Sequence, residues 1–190
     1  MKLLFLILNF LVMEYKTATF GSGCFWCTEA IFELVEGVLG VESGYSAGNT
    51  ENPTYKEVTS GKTNHAEVVN IEYDPSKISF AELLQIFWRT HDPTTLNRQG
   101  ADVGTQYRSI ILYHDSEQKE LSEKIMKELD NSGAWDSPIV TQIKKFERFY
   151  TAENYHQDYY KLNPNNGYCA YVIAPKIDKF KQVFDSYLKK

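Results

Sequence analysis

The order of elements legible in the chain predicts an α+β fold, a two-layer ferredoxin-like (βαββαβ) sandwich with a long, irregular C-terminal extension. Three observations carry this expectation. The apolar spacing changes from strand to helix across Gly21-Ser22-Gly23-Cys24, the stretch His65 to Tyr73 alternates as a strand, and capping residues at Ser79 and Asp115 open helices behind the third and fourth strands.

Each element has its own reason. Tyr15 to Phe20, with Thr17 and Thr19 between larger groups, reads as the first strand. Beyond Cys24, residues Cys27, Ala30, Ile31, Leu34, Val35 and Val38 recur at i, i+3, i+4, i+7, i+8 and i+11, one apolar stripe of an α-helix. Val38 to Tyr45 reads as the second strand, and Ser46 to Lys62 as a polar loop. The third strand ends at Asp74-Pro75. Ser79-Phe80-Ala81-Glu82 is a capping box that opens a helix through Trp88, with Leu83, Leu84, Ile86 and Phe87 among its apolar positions. Polar chain from Asp92 to Gly104 precedes a fourth strand, Tyr107 to His114. Asp115-Ser116-Glu117-Gln118 caps a third helix ending near Asn131 and Gly133, and Pro138 to Ile143 offers a further strand. The tail holds an aromatic run from Phe146 to Tyr160, a loop from Asn163 to Tyr168, Cys169, and a last amphipathic helix from about Lys176.

A chain of 190 residues is expected to form one domain, over residues 13–190, with a single core. Residues 1–12, MKLLFLILNFLV, are apolar but too short for a stable membrane span. They read as an extension or weak signal outside the fold, so the expected location is cytoplasmic, with export as the alternative if they act as a signal. Net charge −5 speaks against a nucleic-acid partner, and a monomer is expected. Three cysteines cannot all pair with one another, and no Asn-x-Ser/Thr sequon lacking Pro is present. Both facts point to redox or metal chemistry over a disulfide-stapled secreted scaffold.

Cys24 lies where a strand ends and a helix begins. First-turn amides are unpaired there and the helix dipole favours negative charge, so a lowered thiol pKa and a nucleophilic thiolate are expected. Trp26 falls off the apolar stripe, on the side of Glu29 and Glu33, where it could wall a pocket for an apolar group. The alternative is a buried structural cysteine beside a packing tryptophan. Glu67 shares one face of the third strand with His65, Val69, Ile71 and Tyr73. If that face is the core side, desolvation should raise its pKa and leave a carboxyl able to donate a proton; on a solvated rim it would be only a charge. Tyr55, Asp102 and Tyr107 are individually unremarkable, as packing residues and a turn former. Histidines 65, 91, 114 and 156 show no ligand spacing, and no bound metal is expected.

Taken in order, GCFWC from Gly23, GYSAG from Gly44, NPTYKEVTSG from Asn52, NHAEVV from Asn64, YDP from Tyr73, HDP from His91, RQGADVGTQYRS from Arg98, YHQDYY from Tyr155 and GYC from Gly167 resemble the peptide methionine sulfoxide reductases of the A type, which act on the S epimer. The resemblance covers about residues 16 to 180. It implies a catalytic domain in which Cys24 attacks the sulfoxide sulfur, Phe25 and Trp26 form the methyl pocket, and Glu67 is the protonated carboxyl on the sulfoxide oxygen. It also implies that Tyr55 and Tyr107 hold that oxygen and that Asp102 positions substrate and water. A sulfoxide sulfur is a poor electrophile until its oxygen is protonated or strongly hydrogen-bonded, so a thiolate and a neutral acid must face each other. Attack leaves methionine and a Cys24 sulfenic acid, which a second thiol converts to a disulfide that thioredoxin, or dithiothreitol in vitro, reopens. No cofactor is bound in such a cycle, and its substrates are oxidised proteins and peptides carrying methionine sulfoxide.

Cys169, behind a loop of Asn, Pro and Gly that should be mobile enough to reach Cys24, is the expected resolving cysteine; Cys27, one helical turn from Cys24, is the alternative. Two positions depart from the family pattern: Ala47-Gly48 stands where Gly-Gly is common, and Asn64 where Gly is frequent. Outside this family, a thioredoxin-like disulfide oxidoreductase would also carry C-x-x-C at a helix start, but it would lack the proline expected opposite the dithiol and a role for Glu67. A zinc module of Cys24, Cys27, Cys169 and His156 would have only one C-x-x-C knuckle.

Overall fold

The computed structural model describes residues 15–190, so the apolar stretch 1–12 lies outside the described residues. Within them the chain forms a mixed α+β fold. The first half runs β1 (Lys16–Ser22), α1 (Phe25–Phe32), β2 (Val38–Ser46), α2 (Tyr55–Thr59), β3 (Ala66–Tyr73) and α3 (Phe80–Thr90). The short strands β4 (Arg98–Gln99) and β5 (Asp102–Val103) form a hairpin that leads into β6 (Ser109–Tyr113) and α4 (Ser116–Asn131). The tail adds β7 (Gln142–Lys145), β8 (Phe149–Thr151), the short helix α5 (Tyr159–Leu162), a π-helical turn at Cys169–Ile173, and α6 (Ala174–Val183).

Six strands form one mixed sheet in the order β7-β6-β1-β3-β2-β8. The four inner strands are antiparallel neighbours, and only β7 runs parallel to its partner, β6. The tail is therefore less irregular than expected, because it supplies both edge strands. β7 begins later than the Pro138–Ile143 stretch, and β8 falls inside the aromatic run, where bulky residues on alternate faces hide the strand period.

Phe20 on β1 is fully buried, with its ring 5.0 Å from Phe87, 5.8 Å from Phe32 and 5.9 Å from Phe80. This cluster clamps α1 and α3 to one face of the sheet, and Leu121, Ile125 and Leu129 of α4 pack against the same core. Truncating Phe20 to Ala would cost about 3–5 kcal/mol. The opposite face is covered more thinly, by Ala47, Phe146 and Phe149 over Ala66, Val68, Ile110 and Leu112.

The first helix is shorter than its apolar stripe. It stops at Phe32, because Val35 bridges to Leu188 and Gly37 turns the chain at φ 87°. A Cβ at Gly37 would lie 2.8 Å from Ile78 Cγ2, so both space and dihedral demand glycine there. Leu34, Val35 and Val38 nevertheless reach the core from the turn and the start of β2. α2 was hidden in a stretch that reads as loop, although Thr54 and Glu57 form a complete capping box at its start. The capping boxes at Ser79 and the Asp115 cap occur as the sequence predicts.

Candidate active site

Two adjoining strand ends and one helix mouth converge. β1 delivers the chain to Cys24, the N-cap of α1, and β3 lies beside β1 with Glu67 near its start. Glu67 is 1% exposed, on the core face, and its carboxyl accepts the Phe25 amide at 3.1 Å through Oε2. Desolvation pushes its pKa up to about 8, against the lowering effect of that amide and with help from the charges of Asp102 and Cys27. Near neutral pH this carboxyl is protonated, as the core-side reading of β3 requires.

Around it stand phenols. Tyr55 opens α2, with its amide donating to Glu153 Oε1 at 2.8 Å, and Tyr107 ends the 3₁₀ turn Thr105–Tyr107. Burial lifts Tyr55 to about 12 and lifts Tyr107 further, and the charges of Glu67 and Cys24 add to both shifts. Both hydroxyls thus remain donors at physiological pH. Asp102 on β5 accepts a 2.6 Å hydrogen bond from Tyr168, whose own ionisation is suppressed by burial and by the thiols and Asp102 around it.

The thiols differ from expectation. Cys24, Cys27 and Cys169 are all buried and reduced, and they share one cluster with Ala30, Ile173 and Ile177. Burial, the contact with Cys27 and the nearby Glu67 push the Cys24 thiol up, where the helix-mouth argument predicted a lowered value. The reason is local: the thiol is buried, and the Phe25 amide at the mouth of α1 is engaged by Glu67. Cys27 is held down to about 7, first by its contact with Cys24 and then by Lys176, whose Nζ lies 3.7 Å from Cys27 Sγ, against the cost of burial. The two sulfurs titrate as one pair, with Lys176 favouring charge on the Cys27 side and burial opposing it on Cys24.

Cys169 is not carried on a free loop. It is fully buried at the start of the π-helical turn, and the Cys27 charge raises its pKa along with burial.

Trp26 is half-buried and forms one wall of an aromatic box. It stacks on Tyr159 (centroids 3.7 Å, planes 6° apart), meets Tyr168 edge-on at 5.9 Å, and donates from Nε1 to His156 Nδ1 at 3.1 Å. Phe25 is buried, with its ring 5.1 Å from His156 and 5.9 Å from Tyr45. All seven expected residues of the centre therefore belong to one neighbourhood. Sequence reading gave no part in this centre to Tyr159, Tyr168, Glu153 or Lys176 and weighed His156 only as a ligand of a zinc module; the aromatic density of Tyr155 to Tyr160 was the available signal, but no spacing assigned it a role. Among the described residues, no group of three or more His, Cys, Asp or Glu side chains is arranged to hold a metal ion.

Residues 16–188 match the family model described as peptide methionine sulfoxide reductase. An enzyme named peptide methionine sulfoxide reductase MsrA from Haloquadratum walsbyi is 54% identical, over 91% of this chain and 98% of its own length. The chain belongs to the peptide methionine sulfoxide reductase family. An MsrA from Saccharolobus solfataricus is 52% identical over 92% of this chain and 97% of its own. Among solved structures, reduced Mxr1 from Saccharomyces cerevisiae is similar with a TM-score of 0.76 at 38% identity, covering 82% of this chain and 90% of that one. Mxr1 in complex with Trx2 is similar with a TM-score of 0.56 at 28% identity, over 80% and 90% of the two chains. As a peptide methionine sulfoxide reductase the chain is an oxidoreductase that reduces methionine sulfoxide.

The two departures from the family pattern have a common geometry. Ala47 (φ 59°) and Asn64 (φ 54°) both occupy the left-handed region, where glycine is the unstrained choice. Arg108 Nη2 donates to both carbonyls, at 3.2 and 3.0 Å, and so holds the two turns together.

Proposed function

We propose that the enzyme reduces the S epimer of methionine sulfoxide in oxidised proteins, peptides and the free amino acid, with Cys24 as nucleophile and neutral Glu67 as acid. The observation that carries this reading is the buried, proton-holding Glu67 at the mouth of the helix that begins at Cys24. Cys24 sulfur attacks the sulfoxide sulfur while its proton passes to the Cys27 thiolate. Glu67 gives its proton to the sulfoxide oxygen, with Tyr55 and Tyr107 donating to the same atom and Asp102 positioning substrate and water. Phe25 and Trp26 enclose the methyl group. The methionine S–O bond then breaks as the oxygen, now a hydroxyl, passes to Cys24; the sulfur–sulfur bond made in the attack opens, methionine leaves, and Cys24 holds the oxygen as a sulfenic acid.

For the next step, the contact between Cys24 and Cys27 favours Cys27 as the first resolving thiol. Its sulfur bonds to Cys24, and the oxygen departs as water with the Cys27 proton. N-cap and N3 cysteines of one helix have the reach to close such a bond. Cys169, packed against the pair, is the sulfur to which exchange can pass the disulfide next. A dithiol protein such as thioredoxin then restores the thiols; the complex of the relative Mxr1 with Trx2 supports that partner. For the fold, a ferredoxin-like description is supported by the inner strand order β6-β1-β3-β2, antiparallel throughout, as a split βαβ produces.

The deciding assay supplies the separated S and R epimers of N-acetyl-methionine sulfoxide with dithiothreitol. Turnover of S alone, abolished by Cys24→Ser, is expected; turnover of R, or an active Cys24→Ser variant, would overturn the reading.

A further inference from the structure

α1 presents a second carboxylate, one turn beyond Trp26 on the same face, that the reaction does not use. Glu29 is 2% exposed. It accepts from Ser43 Oγ at 3.1 Å, and the backbone amides of Asp158 and Tyr159 lie on its side and favour its charge. Those amides belong to a turn that needs holding, because Asp158 sits at φ 52°, a strained dihedral for a residue with a side chain. The same turn is tied to the sheet by Gln157, which receives the Ser43 amide and donates to the Ser43 and Ala152 carbonyls, each at 2.9 Å. Immediately beyond, Tyr159 stacks flat on Trp26. Residues i and i+3 of one helix thus grip one segment twice, through an aromatic stack and through a buried charge.

We propose that Glu29 is a positioning residue for substrate: its carboxylate seats the 157–159 turn, which sets Tyr159 against Trp26 and so shapes the proposed methyl pocket, making substrate affinity depend on whether Glu29 is ionised. The inference rests on the assignment of Trp26 to that pocket. Burial lifts Glu29 to about 7, against the amides of Asp158 and Tyr159 and the Ser43 hydroxyl. Its protonation removes the charge that the Ser43 hydroxyl bonds and the neighbouring amides favour, and hydrogen bonds to a charged acceptor are about twice as strong as neutral ones. The charged groups facing it are Glu33 on α1 and Asp158 and Lys161 on the turn and α5. Lys161 bridges Glu33 at 3.5 Å and Asp158 at 2.8 Å and holds Asp158 below the usual carboxylate range. Glu33 is raised by burial and by Asp158, so it remains in the variants below as an internal control.

The test is KM for the S sulfoxide from pH 5.5 to 8, alongside the single-turnover rate of methionine formation at saturating sulfoxide. Wild type should show KM rising about fivefold as pH falls through 7. Glu29→Gln should hold the high KM across the range while keeping the saturating rate within about twofold. Ser43→Ala, which removes one donor and leaves the carboxyl in place, should move the KM transition to higher pH. The inference is overturned if Glu29→Gln retains the wild-type KM profile, if its saturating rate falls in step with KM, or if Ser43→Ala leaves the midpoint unmoved. Absence of methionine formation in wild type would instead remove the pocket reading on which the inference stands.

Discussion

The Phe25 amide, first in the helix that Cys24 caps, donates to Glu67 Oε2 at 3.1 Å. One bond therefore ties the mouth of α1 to the carboxyl on β3 and fixes the proposed nucleophile and proton donor relative to each other. It also takes for the carboxyl an amide that helix-mouth chemistry would have offered to a thiolate. This accords with burial and Glu67 raising the Cys24 thiol while Cys24 and Lys176 lower Cys27.

Glu67 burdens the fold in proportion to its use. Between its ordinary value of 4.5 and its folded value of about 8, the native protein holds a proton that the unfolded chain releases. The unfolded state then binds fewer protons, so this group's contribution to stability falls as pH rises through that window. Glu67→Gln, which can still accept the Phe25 amide, should match wild type near pH 4.5 and exceed it by on the order of 4 kcal/mol at pH 8.5. Thermal melts of the two proteins across that range check this; parallel melts at every pH would mean that Glu67 ionises normally.

Lys176 reaches Cys27 and no carboxylate within ion-pair distance among the described residues. Lys176→Met should raise the Cys27 thiol and slow disulfide formation after turnover about tenfold, while methionine release in the first turnover changes less. Stopped-flow thiol counting separates the two steps. Equal slowing of both would place Lys176 on the attack itself.

The resolving order makes its own prediction. Cys27→Ser should form methionine once, more slowly because the thiolate that takes the Cys24 proton is gone, and then stall at the sulfenic acid or close a Cys24–Cys169 bond slowly. Cys169→Ser should still close Cys24–Cys27 but turn over poorly with thioredoxin. Peptide mapping of the oxidised variants reads the bonds directly, and a wild-type rate of bond closure in Cys27→Ser would return the first step to Cys169.

Trp26 and Tyr159 stack at 3.7 Å, so Tyr159→Ala should loosen the pocket wall. An aromatic pair of this kind contributes about 0.5–1.5 kcal/mol beyond its buried area. KM should rise about threefold to tenfold, with the saturating chemical rate nearly kept, as steady-state kinetics will show.

Much of this was legible in the residue order. The alternation of His65 to Tyr73 set Glu67 on one face with Val69, Ile71 and Tyr73, leaving core or rim for packing to decide, and the spacing after Cys24 placed the thiol at a helix mouth; both are local patterns with fixed periods. Four other features were not legible, for distinct reasons. α1 ends early because Leu188, far along the chain, pairs with Val35, a contact that no local window contains. The Cys24 pKa runs opposite to the dipole argument because Glu67 and burial arrive from other elements. β8 and the Tyr159 stack lie in an aromatic run whose residues pack on several partners at once, which erases any single period. Cys169 looked free because its neighbours are Asn, Pro and Gly, yet it is covered by the pair it faces.

The account depends most on a carboxyl that is neutral when Cys24 attacks. The direct measurement is the single-turnover rate of methionine formation from the S sulfoxide between pH 6 and 9.5, in wild type and Glu67→Gln. Wild type should lose rate above about pH 8 as Glu67 ionises. The variant should be slower by about 100-fold at pH 7, within the usual worth of a general acid, and free of that descending limb. A wild-type rate that climbs through pH 8 to 9 in parallel with the variant would contradict the account.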